Sequence, residues 1–90
     1  MAVSKDDVAR RVKEVTGRVL NVDPAKIKPS DTFAGDLGAE SIQSIELVAA
    51  FEDGFDIEMD EDEALSVASV GAAIKYIAKV CKEQGVDVEA

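Results

Sequence analysis

Ser41 is the side chain with the clearest chemical opportunity in this sequence. It follows a stretch broken by Pro29, Gly35 and Gly38 and precedes an apolar run with helical spacing. A hydroxyl at such a junction is exposed and reachable by another enzyme's active site. It also lies near the positive end of a helix, where an attached anion is favoured. On local sequence alone the commoner role is a serine that caps the helix. Ser44, in the same first turn, is a rival hydroxyl whose simpler reading is a tolerated polar residue. Cys81 falls four residues after Ile77 on an apolar stripe and reads as a small core residue before it reads as a reactive thiol.

Other chemistry is largely excluded by composition. There is no histidine, which removes His-based acid/base catalysis, Ser-His triads and His metal sites. One cysteine allows neither an internal disulfide nor a Cys-rich zinc site. The acidic run from Asp53 to Glu63 invites a calcium reading, but an EF-hand loop needs Gly at its sixth position and Glu at its twelfth. Starting at Asp56 puts Glu61 and Val67 there, and starting at Asp53 puts Glu58 and Ala64 there. Both registers fail. Scattered carboxylates do not combine with any nucleophile and orienting group into an acid/base site.

The charge is unevenly distributed. The 90 residues carry 10 basic and 19 acidic side chains, a formal net charge of -9. Residues 1–28 hold seven of the bases, whereas residues 29–74 hold twelve acids and no Lys or Arg. This balance argues against nucleic acid as a partner, because phosphate contacts need concentrated Lys and Arg. Such an acidic block is either a solvated face or a surface that steers basic partners. Apolar residues make up 47%, the apolar runs are too short to span a membrane, and the N-terminus has no signal-peptide h-region. These features lead to an expectation of a soluble, cytoplasmic domain.

The elements that must position Ser41 follow from periodicity and caps. Residues 4–19 read as a first helix capped by Ser4, with Val8, Val12, Val15 and Val19 at helical spacing and Gly17 weakening its last turn. A long connection from about Asn21 to Glu40 follows, with one short turn at Asp23-Pro24 through Ile27. Ile27, Phe33 and Leu37 are its apolar pins. The second helix is expected from Ser41 to Asp53, ended by Gly54. Phe55 to Met59 shows a brief alternation. Asp60 to Leu65 reads as a short third helix, and Ser69 caps a last helix through Gln84 that Gly85 stops. The fold class is therefore all-α, a four-helix bundle with three main helices, a short third helix and a long first loop. Residues 1–85 form one domain and 86–90 a frayed tail.

Three stretches in order carry a resemblance. They are Val22-Asp23-Pro24-Ala25-Lys26-Ile27, then Phe33-Ala34-Gly35-Asp36-Leu37-Gly38-Ala39-Glu40-Ser41-Ile42, then Ile45-Glu46-Leu47-Val48. Together with Phe55, Ile57 and the run Ala72-Ala73-Ile74-Lys75-Tyr76-Ile77, they closely resemble the acyl carrier proteins. In that family the serine after the Leu-Gly-x-acid element is esterified with 4'-phosphopantetheine, whose thiol carries the growing acyl chain. Ser41 occupies that position, and Ser44 lies three positions too late. The resemblance thus turns the local preference for a cap into an attachment point. The sequence departs from the family's usual Asp-Ser-Leu core, having Glu40-Ser41-Ile42, and also at Gln43, Ala49 and Gly54. These departures leave a pathway-dedicated paralogue open beside the housekeeping fatty-acid carrier.

The resemblance implies a non-catalytic, monomeric carrier modified by a phosphopantetheinyl transferase. It implies docking to synthases, reductases and acyltransferases whose basic patches meet Glu40, Glu46, Glu52 and Asp53. Ile42, Ile45 and Ala49 would form the apolar centre of that contact, with Ile45 alternatively in the core. The attached acyl chain is expected between the second and last helices, lined by Val48, Phe51, Leu65, Val67, Ala73 and Ile74. Fatty-acid synthesis is the leading pathway and a polyketide-like cargo the runner-up. From another class, an unmodified acidic interaction module is the alternative.

Overall fold

The computed structural model describes residues 4–86 and Val88. Its helices are α1 (Lys5–Leu20), α2 (Ser41–Phe55), α3 (Glu61–Ser66) and α4 (Val70–Gln84), with a 3-10 turn at Pro24–Lys26. The described residues contain no β-strand. The architecture is a small helical bundle in which α1 packs against both α2 and α4, and α3 leans on α2.

α1 begins where Ser4 accepts a hydrogen bond from the Asp7 N–H at 3.4 Å. It ends at Asn21, left-handed with φ 57°, whose N–H bonds the Gly17 carbonyl. Val8, Val12 and Val15 are fully buried. Gly17 does more than weaken a turn. A Cβ at this position would lie 2.6 Å from the Val22 carbonyl oxygen, so its absence lets the chain fold back onto α1.

The long connection is pinned on both kinds of contact. Ile27, Phe33 and Ala39 are buried, while Leu37 is half-buried. Phe33 N–H donates to the Ala68 carbonyl, Val70 N–H to Asp31 and Gly71 N–H to Pro29, which tie the loop to the start of α4. The Asp36 carboxylate takes the Thr32 N–H at 2.8 Å and closes a compact turn. A structureless loop of this length would be anomalous in so small a domain; this one is stitched down along its length.

α2 runs past the stop expected at Gly54. It ends at Phe55, and its C-cap is Asp56, left-handed at φ 55°, with its N–H on the Glu52 carbonyl. Aspartate tolerates this conformation better than most side chains. The extra turn buries Phe55, and Arg11 of α1 secures it. The Arg11 guanidinium lies 5.3 Å from the Phe55 ring centroid and donates to the Gly54 carbonyl at 3.4 Å. α3 is capped by Asp60, and α4 begins and ends at Ser69 and Gly85 as the caps predict. Cys81 is fully buried in α4, and burial pushes its thiol above the ordinary value, with Arg11 acting in the opposite direction. The tail read as frayed is anchored at two described residues: Val86 N–H donates to the Cys81 carbonyl at 2.9 Å, and Val88 is buried with its carbonyl accepting from Ser4 N–H at 3.1 Å. Residues 87, 89 and 90 of that tail lie outside the described residues.

Candidate functional site

Ser41 is exposed and is the first residue of α2, not its cap. The cap is Glu40, whose N–H donates to the Gln43 side-chain oxygen at 2.9 Å. The expected cap role for Ser41 thus passes to its neighbour, and among the described residues its hydroxyl makes no hydrogen bond. Ser44 is half-buried, and its hydroxyl donates back to the Glu40 carbonyl at 3.3 Å. The geometry therefore separates the two rival hydroxyls. One is free in solvent and the other is turned against its own helix.

The approach to Ser41 is open. Gly38 sits at φ +70° with nothing within 4 Å of where a Cβ would be. The N–H groups of Ser41 and Ile42 belong to the first turn and have no intrahelical acceptor. A phosphodiester on the Ser41 oxygen would find these donors and the helix dipole beside it. The donor set fits a phosphorylated group, although the Glu40 carboxylate lies next to it.

α2 presents two different faces. Ser44, Leu47, Val48 and Phe51 line a partly open cavity of about 50 Å³, whose other walls are Phe33, Met59, Ala64, Leu65, Val67, Ala73, Tyr76 and Ile77. Five of the six expected cargo-lining residues are among these walls. Ile74 is not. It is buried, but Ala73, Tyr76 and Ile77 share the face of α4 that meets the cavity, and Ile74 is turned about 100° from Ala73 by the helical repeat. Ser44, Leu47, Tyr76 and Ile77 were missed although helical spacing marks them: Ser44 lies four residues from Val48, Leu47 four from Phe51, and Tyr76 and Ile77 three and four from Ala73. Met59 and Phe33 carry no such signal. Burial raises the Tyr76 hydroxyl above its ordinary value, and the Glu63 carboxylate adds to this, so it stays protonated at neutral pH.

The opposite face of α2 is outward. Ile42 is 66% exposed and Ile45 53%, which resolves Ile45 as a surface residue, and Leu65 of α3 is 42% exposed. Ala49, Glu40, Glu46 and Asp53 are exposed around them. Glu52 differs: it is half-buried, and its Oε2 accepts the Met59 N–H at 2.9 Å. No group of carboxylates and cysteine among the described residues is arranged to hold a metal ion.

The family model described as the phosphopantetheine attachment site matches residues 10–77. This chain belongs to that family. Phosphopantetheine-attachment domains carry a covalently bound 4'-phosphopantetheine and are non-catalytic substrates of a transferase. The chain is accordingly a carrier protein, and the unmodified-module alternative gives way to it. The match runs from within α1 to the middle of α4, so it includes the candidate serine and the residues that line the carrier's cavity. Among the described residues no helix of the carrier is long and apolar enough to cross a membrane.

Proposed function

We propose that Ser41 is the attachment point and that the protein carries acyl intermediates of fatty-acid or related biosynthesis in the cytoplasm. The supporting observation is the pairing of a free, exposed Ser41 hydroxyl with a largely apolar cavity between α2, α3 and α4 that begins one turn further along α2, at Ser44. The arm supplies a thiol that holds the acyl group as a thioester. The protein's own residues do the rest. Backbone N–H groups at the start of α2 favour the phosphodiester. Val48, Phe51, Leu65, Val67 and Ala73 offer apolar surface to the chain, and tethering raises the cargo's effective concentration at a docked enzyme. Ile42, Ile45 and Ala49, rimmed by Glu40, Glu46 and Asp53, form a docking face for basic patches on the transferase and on acyl-processing enzymes. Glu52 stands at the margin of this face. The departures at Glu40, Ile42 and Ala49 leave a dedicated pathway open, with a polyketide-like or other specialised acyl cargo as the second choice.

The cavity's size requires movement. About 50 Å³ is a third of the roughly 150 Å³ that accommodates a benzene-sized guest, so an acyl chain enters only as the walls part. Intact mass after co-expression with a phosphopantetheinyl transferase tests the attachment. The wild type gains one phosphopantetheine, Ser44→Ala gains it too, and Ser41→Ala gains none while staying folded. A loaded Ser41→Ala protein sinks the assignment. For the cargo, methyl chemical shifts of a medium-length acyl form are compared with those of the bare arm. Changes confined to the neighbourhood of Ser41 would mean that the chain stays outside.

A further inference from the structure

Between α2 and α3, three consecutive backbone N–H groups are satisfied from two different helices. Ile57 N–H donates to the Glu52 carbonyl at 3.1 Å. Glu58 N–H donates to Gln84 Oε1 at 2.9 Å, and Gln84 Nε2 returns a hydrogen bond to the Glu58 carbonyl. Met59 N–H then donates to Glu52 Oε2 at 2.9 Å. Successive N–H groups of an extended chain point to opposite sides, which explains the alternating grip from α2 and from the end of α4. The side chains follow the same period: Ile57 is buried, Glu58 exposed, and Met59 turned into the cavity wall. The alternation in the sequence is therefore real, but side chains replace the partner strands.

Glu52 thus has two possible uses. It lies one residue from exposed Asp53, on a helix whose outer face is acidic, and no Lys or Arg occurs between residues 29 and 74 to pair with it locally. Among the described residues its carboxylate is held by the Met59 amide and by no cation. The Met59 amide offers that carboxylate only a dipole, whereas an arriving Lys or Arg offers a full opposite charge as well as N–H donors. We propose that Glu52 is a latch that couples docking of a cationic partner to opening of the cavity. Drawing the carboxylate outward frees the Met59 N–H and loosens the wall segment 57–59, while Gln84 still holds Glu58. This inference rests on the cargo-cavity reading, and it names how a partner gains access to that site.

The test uses the bare protein with Ser41 unmodified, so its outcome is independent of the mass and acyl-shift experiments. Amide hydrogen exchange is measured at low ionic strength with and without a hexa-arginine peptide as the cationic probe. Saturating peptide should speed exchange at Met59 about tenfold and leave Val12 of α1 unchanged. Glu52→Ala should be fast at Met59 without peptide and gain nothing from it. Glu52→Gln, whose amide oxygen still accepts the N–H but lacks the charge, should stay slow and unresponsive. Gln84→Ala should speed Glu58 while keeping the peptide response at Met59. The proposal is overturned if wild-type Met59 ignores the peptide, bound or not, or if Glu52→Ala exchanges no faster than the wild type. It is equally overturned if Val12 loses protection together with Met59, since that reports global opening.

Discussion

α1 and α2 are almost equal in length, at 16 and 15 residues, and both are built on aliphatic side chains. Only α1 keeps those side chains on one side. Val8, Val12 and Val15 are buried, and its outer face carries Asp6, Arg10, Glu14 and Arg18. α2 buries Leu47, Phe51 and Phe55 but also exposes Ile42, Ile45 and Ala49 to water. Exposed apolar side chains gain nothing for the isolated fold, and contiguous ones mark interaction surfaces. α1 thus spends its apolar residues on the core, whereas α2 divides its own between the core and a solvent-facing patch, the face proposed above for docking.

The sharpest way to break this division is to compare truncations on the two faces of α2. Phe55→Ala should lower stability by about 3–5 kcal/mol, measured by denaturant unfolding, because it empties a fully packed site. Ile45→Ala should change stability by less than about 0.5 kcal/mol. The same Ile45→Ala should nevertheless weaken transferase engagement about tenfold, read as kcat/KM, as expected for the centre of an interface. Equal stability losses at the two positions would erase the distinction between the faces.

Charge offers a smaller effect on the same surface. Glu46→Lys with Asp53→Lys should slow association several-fold, and raising salt should slow the wild type in the same way. Glu52 is left out of this pair because its carboxylate is occupied by Met59. Transferase kinetics indifferent to both treatments would leave the acidic face without a docking role.

The smallest expected effect tests α1. Thr16 is fully buried on the structural face, and its hydroxyl has no hydrogen-bond partner among the described residues. Thr16→Val keeps the branched shape and removes the unpaired group, so it should stabilise the domain by about 1 kcal/mol. A thermal melt should show the midpoint rising by about 4–8 °C. A falling midpoint would mean that the hydroxyl has a partner after all, and that α1 is less purely apolar on its inner face.

Much of this protein was legible from residues lying within one helical turn of each other. Ser4, Ser69 and Gly85 mark helix ends by capping chemistry that involves only their nearest neighbours. The valines of α1 and the small and aliphatic residues of α4 mark their buried stripes by periodicity alone. The position of Ser41 at a loop-to-helix junction, the absence of histidine and the acidic block at 29–74 are likewise properties of the sequence. Tertiary structure decided the rest. With apolar residues on both sides of α2, periodicity could not say which side faces inward, and packing against α1 and α3 chose it. Gly54 looked like a stop, yet Arg11, 43 positions earlier, holds its carbonyl and carries the helix on to Asp56. Met59 joins the cavity wall beside Glu58, which Gln84, 26 positions after Glu58, grips. Caps and periods are short-range and written in adjacent residues; these contacts exist only after the chain has closed on itself, and no local pattern encodes them.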